Sequence, residues 1–206
     1  MSSTSREPDR LILFTDAVVA IAITLLILPL VDLANEPVEH ASEIVTGHLD
    51  QIGGFLLSFV VIARLWLAHH RMFQHVRFST SALVLWNMLW VFTVVVLPFP
   101  TELAGRFGRD TFTVAFYIGT ILASSISQTA LIMIIHRHPE IQDPDNRLSV
   151  RDVAGSVTAT GLIALALILA MLVPPLSYFP MLLLLLSHPV LLLWERTRSN
   201  RATATT

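Results

Sequence analysis

Arg10-Leu-Ile-Leu-Phe14-Thr15-Asp16 opens the stretch that decides the fold, because the fifteen residues behind it, Ala17 to Val31, carry no charge. A charge at bilayer depth is expensive, so a spanning helix normally keeps its ionised groups in its flanks. Arg10 marks such a flank. Asp16 stands about a turn and a half further in, where a carboxylate needs a partner. The stretch therefore reads as a first membrane helix with a polar device built into one end.

Working outward, the composition agrees. The chain has 206 residues, of which 54% are hydrophobic and 14% charged, and its mean hydropathy of +0.69 belongs to a polytopic membrane protein. Cysteine is absent, which excludes disulfides, thiolate metal sites and thiol catalysis. The net charge of −2 says nothing about nucleic acid, but no basic run looks like a phosphate-tracking patch, so no nucleic-acid partner is expected. About 20 apolar residues cross a bilayer, and six stretches qualify: residues 11–31, 52–68, 83–99, 112–135, 153–173 and 176–194. The last two are parted only by Pro174-Pro175, which predicts a tight antiparallel hairpin. The first is too long for a cleaved signal peptide, and no small-x-small cleavage pattern follows it. The expected fold is all-α, with one six-helix transmembrane domain over residues 1–198 and a disordered tail over 199–206. Residues 1–9 are expected to be disordered too, and the acidic loop 32–50 is expected to hold a short surface helix.

Ten arginines lie in the tails and the even-numbered connections, whereas the opposite side holds Arg106 and Arg109. The positive-inside rule then places both termini in the cytoplasm. Prolines gather at the outer ends of the odd-numbered spans: Pro29, Pro98 with Pro100, and Pro174 with Pro175. No inverted repeat stands out, which weakens a transporter built from two fused halves.

The pattern Arg-x-x-x-Phe-(Ser/Thr)-Asp at the head of a first helix resembles the signature of the transmembrane protein 175 family of potassium channels. Two further segments carry the same resemblance: Arg64-Leu-Trp66-Leu-Ala-His69-His70-Arg71-Met-Phe73 and Leu97-Pro98-Phe99-Pro100-Thr101. The resemblance implies a potassium-permeable cation channel, a homotetramer of single-repeat subunits in a bacterial plasma membrane, with the first helix of each subunit around the pore. It needs no cofactor, the permeant ion being K+ in preference to Na+. It also implies that Ile21, Leu25 and Leu28 form the constriction and that Thr24 beside them bears on selectivity. Helical periodicity puts Ile21, Leu25 and Leu28 on one stripe with Phe14, flanked by Thr24 and continued by Asp32 at the outer mouth. Asp16 lies about 140° from Ile21 around the helix. Periodicity by itself fits ordinary packing or lipid contact equally well. A ring of isoleucines can close a pore by dewetting, and the chain has no Thr-Val-Gly-Tyr-Gly loop whose carbonyls would replace a hydration shell.

The second span carries Arg64, an intramembrane cation that needs a partner. Arg64 and Asp16 lie at matching depths, about 9 Å inside His70 and Arg10 respectively. An Asp16–Arg64 pair is therefore expected, with His69, His70 and Arg10 as competing partners for the carboxylate. Asn87 in the third span is expected to join that network. Around the second helix, Arg64, Arg71 and His75 share one face, while Trp66, His70 and Phe73 share another, with His69 at its edge. Gly53-Gly54 reads as a close-packing or flexible start to this span. Trp90, Trp194 and Tyr178 are expected at the membrane interfaces. The run Ser124-Ser125-x-Ser127-Gln128-Thr129 is expected to hydrogen-bond between helices. His69-His70 and His136-x-His138 lack carboxylate or thiol partners at helical spacing, so no metal site is expected. No hydrolase, zinc-protease or phosphate-loop pattern is present. Two other classes compete with the channel: a proton-coupled secondary transporter using Asp16 and the histidines, and a scaffold that conducts nothing.

Overall fold

Five helical segments are long and apolar enough to cross a membrane: Pro8–Asn35, Leu49–Phe73, Ser81–Phe107, Thr111–Arg137 and Val150–Leu172. They come from a computed structural model that describes residues 6–108 and 110–173. The sixth expected span, the Pro174-Pro175 hairpin, the tail 199–206, Tyr178 and Trp194 lie outside the described residues.

Helix α1 (Arg6–Leu25) begins earlier than expected, inside the tail read as disordered. Pro8 falls in its first turn, where the missing N–H has no intrahelical acceptor to lose. The first span is also not one continuous helix. It breaks at Leu26 and Ile27, whose N–H groups reach only the Ile23 and Thr24 carbonyls at 3.3 and 3.4 Å, and resumes as the short α2 (Leu28–Asp32). Pro29 is the cause, since it offers no N–H to the Leu25 carbonyl four residues back and its ring crowds that oxygen.

The third span repeats the device. After α3 (Ala41–Gly47), the short helix expected in the acidic loop, and α4 (Leu49–Phe73), the chain forms α5 (Ser81–Val96). It breaks at Leu97 and continues as α6 (Pro98–Phe107), with Pro98 starting the new helix. Thr101 on α6 lies 2.8 Å from both the Leu97 carbonyl and the Ser58 hydroxyl of α4. Ser58 in turn lies 2.9 Å from the Tyr117 hydroxyl, so three spans share one buried polar chain.

Helix α7 (Thr111–Arg137) packs against both α5 and α8 (Val150–Leu172) and is the most buried of the described spans. Asp110 caps the start of α7 through the Thr113 N–H at 3.0 Å, and a reciprocal Ser149–Asp152 capping box starts α8. The polar run on α7 bonds between helices as expected. Ser125 and Thr129 each lie 2.7 Å from the Thr160 hydroxyl of α8, and Gln128 Nε2 donates to the Leu65 carbonyl of α4 at 2.6 Å. The α7–α8 connection is pinned by Gln142, which donates to the Ile135 carbonyl at 2.7 Å and accepts from the Leu148 N–H at 3.0 Å.

Two local expectations change. Trp90 is no interfacial anchor, because it is fully buried at the centre of the bundle. Gly53 and Gly54 are not close-packing points, because a Cβ at either meets nothing within 4 Å. The tight glycine is Gly105 on α6, where a Cβ would stand 3.1 Å from Gln51 Cγ on α4.

Candidate functional site

Helix α1 has two faces that serve different ends. Thr15, Val19, Ala22 and Leu26 recur at i, i+4, i+7 and i+11 and are buried against the bundle. Phe14, Ile21 and Leu25 lie on the other side and are exposed, as is Leu28 beyond the break, the last three at 59%, 42% and 53%. Nothing in the described chain packs over this stripe. Thr24 is exposed beside it, and its hydroxyl donates to the Ile21 carbonyl at 2.8 Å. With its proton spent on the backbone, that oxygen keeps its lone pairs for another partner. Asp32 is exposed at the end of α2.

Thr15 and Asp16 are neighbours in sequence but hold different helices. Thr15 is fully buried and accepts from Asn87 Nδ2 on α5 at 2.9 Å. Asn87 Oδ1 lies 2.7 Å from His69 Nε2 on α4, so His69 donates there. One asparagine thus bridges α1 and α4 through α5. The His69 ring is sandwiched, stacked on Trp90 at 4.2 Å and on Phe73 at 4.4 Å between centroids. Its Nδ1 is buried with no hydrogen-bond partner among the described residues.

Asp16 turns toward α4 and accepts from Trp66 Nε1 at 2.7 Å. His70 Nδ1 is 4.0 Å from the other carboxylate oxygen, too far for a hydrogen bond but close enough for attraction when protonated. The expected Asp16–Arg64 pair does not form. Arg64 is about 160° around α4 from Trp66 and lines a cleft against α7 and α8 with Arg71 and His75, which does keep the expected face together. Arg10 is exposed, and among the described residues the carboxylate's polar partners are Trp66 and His70. Asn87 enters the network beside Asp16, through Thr15, rather than on Asp16 itself.

Sequence reasoning named Trp66 but overlooked it as the donor, and it missed the sandwich around His69. The signal for the second was present. His69 and Phe73 are spaced i, i+4 on one helix and Asn87 and Trp90 i, i+3 on another, so each pair presents one face.

Because Asp16 acts as an acceptor for an indole, Asp16→Leu is expected to cost about 1–2 kcal/mol by stranding the Trp66 N–H. Asp16→Asn keeps an oxygen there and is expected to cost less than half as much. Thermal unfolding in detergent, read by tryptophan fluorescence, separates the two. Equal losses would mean that the charge, not the acceptor, holds the contact.

Residues 10–98, which contain all of these groups, match the family model described as the endosomal/lysosomal potassium channel TMEM175. A potassium channel of Streptomyces collinus is 31% identical over 145 residues, covering 67% of this chain and 69% of that one. A potassium channel of Chamaesiphon minutus is 34% identical over 126 residues, covering 58% and 62%. The endosomal/lysosomal proton channel TMEM175 of Danio rerio is 22% identical over 148 residues, which is 71% of this chain but 28% of that protein. The chain spans 28% to 37% of the length of the vertebrate relatives it matches. A crystal structure of a TMEM175 homolog from Chamaesiphon minutus, described as a lysosomal potassium-selective channel, superposes with a TM-score of 0.70 at 25% identity, covering 90% of this chain and 98% of that one. With the Phe14-Thr15-Asp16 motif seated between α4 and α5 and these relatives on both counts, sequence and fold, the chain belongs to the TMEM175 family.

Proposed function

We propose that four copies of this chain assemble in a bacterial plasma membrane, termini inward, and pass K+ passively through a pore lined by α1. The observation that carries this reading is the division of α1. Its Thr15–Asp16 face is tied into the subunit, while Ile21, Leu25 and Leu28 stand exposed. A single subunit has no reason to contain a complete central pore, so a symmetric ring of such stripes is the economical way to build one. Apolar side chains in a narrow neck expel water, and the neck conducts only when it widens. The Thr24 oxygens supply lone pairs beside it, which favours the cation that sheds water more cheaply, K+ over Na+. Asp32 and the acidic first loop raise the cation concentration at the outer mouth, an effect that reaches only about 8–10 Å at ordinary ionic strength. Passive permeation needs no cofactor and no chemical step. The names of the relatives, potassium channels among the bacterial ones and proton channels among the longer vertebrate ones, support monovalent-cation conduction. They do not favour a proton-coupled transporter, and Asp16 lies off the exposed stripe.

The test is the reversal potential of purified protein in planar bilayers, with K+ on one side and Na+ on the other, beside the mass of the assembly. A potential displaced toward the K+ equilibrium value, from a particle of four subunits, is expected. Zero current from an intact tetramer, or a potential of zero, would reject the proposal.

A further inference from the structure

Arg64 is the intramembrane cation that the polar network leaves unclaimed. It is exposed, and it forms no hydrogen bond or ion pair among the described residues. A guanidinium in a membrane helix without a partner is costly, so its surroundings matter. It lines a cleft of about 570 Å³ between α4, α7 and α8, together with Arg71, His75, Gln128, Arg151 and Asp152. Arg64 and Arg71 share one face of α4, seven residues and about 10 Å of rise apart. Arg151 comes from the first turn of α8.

Among the described residues that line the cleft, Arg64 and Arg71 form no hydrogen bond or ion pair, and Asp152 is the one carboxylate. Asp152 Oδ2 accepts from the Ser149 N–H at 3.0 Å and its hydroxyl at 2.6 Å, which fixes that carboxylate in the α8 cap. His75 Nδ1 is spent on the Asn146 carbonyl at 2.8 Å. Between the cationic groups Ala68, Met72, Ile132 and Ala159 give the wall an apolar part, while Ser125, Gln128 and Ser156, which also line it, are bonded to Thr160, the Leu65 carbonyl and Thr129. The cleft therefore offers forked donors for an anion at two depths and an apolar wall beside them.

We propose that this cleft binds the phosphate headgroup of an anionic phospholipid from the leaflet at the end of the bundle where α4 finishes and α8 starts. Arginine forks match phosphate oxygens in geometry and charge, and basic pockets between membrane helices suit such headgroups. The apolar wall and the depth of Arg64 select a lipid over a soluble anion, since an acyl chain can follow the phosphate into the cleft. The proposal is independent of conduction, because binding is read without it.

Native mass spectrometry of the purified protein in detergent, with equimolar phosphatidylglycerol and phosphatidylcholine, tests it. The wild type is expected to retain phosphatidylglycerol in preference, less so as salt rises. Arg64→Gln is expected to cut that preference about fivefold, and Arg64→Gln with Arg71→Gln roughly 25-fold, from the worth of a basic residue near a membrane surface. Arg64→Lys, which keeps the charge but loses the fork, is expected to fall between the wild type and Arg64→Gln, and Arg106→Gln, on a different helix outside the cleft, to keep the full preference. Should the double variant elute aggregated, Arg71→Gln alone and the salt series carry the decision. No preference in the wild type, or an unchanged preference in the glutamine variants, would overturn the site. Displacement of phosphatidylglycerol by millimolar inorganic phosphate would overturn the lipid assignment in favour of a soluble phosphate.

Discussion

His69→Ala is expected to destabilise the subunit by about 3–5 kcal/mol, the range for deleting a fully buried ring. His69 has no exposed surface, and both faces of its ring are covered, by Trp90 and Phe73. Alanine leaves a slot between two rigid aromatic walls that cannot close without moving α5 against α4. The same change strands Asn87 Oδ1, which loses the Nε2 donor at 2.7 Å and adds an unsatisfied acceptor at the centre of three helices. His69→Phe refills the slot but not the hydrogen bond, so it should recover more than half of the loss. Reversible unfolding in mixed detergent micelles measures both variants. If alanine and phenylalanine cost the same, the sandwich contributes nothing and the hydrogen bond accounts for the whole effect.

The second large effect is expected in conduction rather than stability. Ile21→Asn should raise the current on the order of tenfold, which a barrier lower by about 1.4 kcal/mol gives. An amide in place of an alkyl ring lets water persist in the neck, and a hydrated neck no longer excludes the ion. Ile21 is 59% exposed in the subunit, so the change breaks no packing within the chain. Val19→Asn is the contrasting variant. Val19 is 1% exposed on the opposite face, so an amide there should lower stability and leave unit current alone. Single-channel recording of both, at matched protein load, gives the answer. Equal currents in wild type and Ile21→Asn would remove the apolar gate from α1.

Much of this was legible in the sequence because hydropathy and helical period are local properties. The five described spans, the short helix in the acidic loop and the hydroxyl contacts of α7 follow from spacing alone. The partner of Asp16 does not. Matching depth along two helices fixes one coordinate of a contact, but the azimuth of α4 about its axis is set by what packs around it. Here the buried His69 and its aromatic walls turn Trp66 toward α1 and Arg64 toward α8. Trp90 was misjudged for a related reason. Tryptophan favours interfaces only when its ring lacks a better neighbour, and the stacked imidazole of His69 supplies one. The two proline breaks were visible as residues, but not that each splits its span into two helices.

The two adjacent anchors on α1 also restrict how that helix can move. Thr15 is held by α5 and Asp16 by α4, in directions about 100° apart around the axis. A twist of the rod that relaxes one anchor strains the other, so torsion about its long axis is blocked. Sliding along the axis strains both. What remains compliant is the joint at Leu26 and Ile27, closed only by bonds of 3.3 and 3.4 Å. Ile21 and Leu25 ride with the fixed segment and Leu28 with the free one, so in the proposed pore the outer tip would swing while the inner rings would hold their radius.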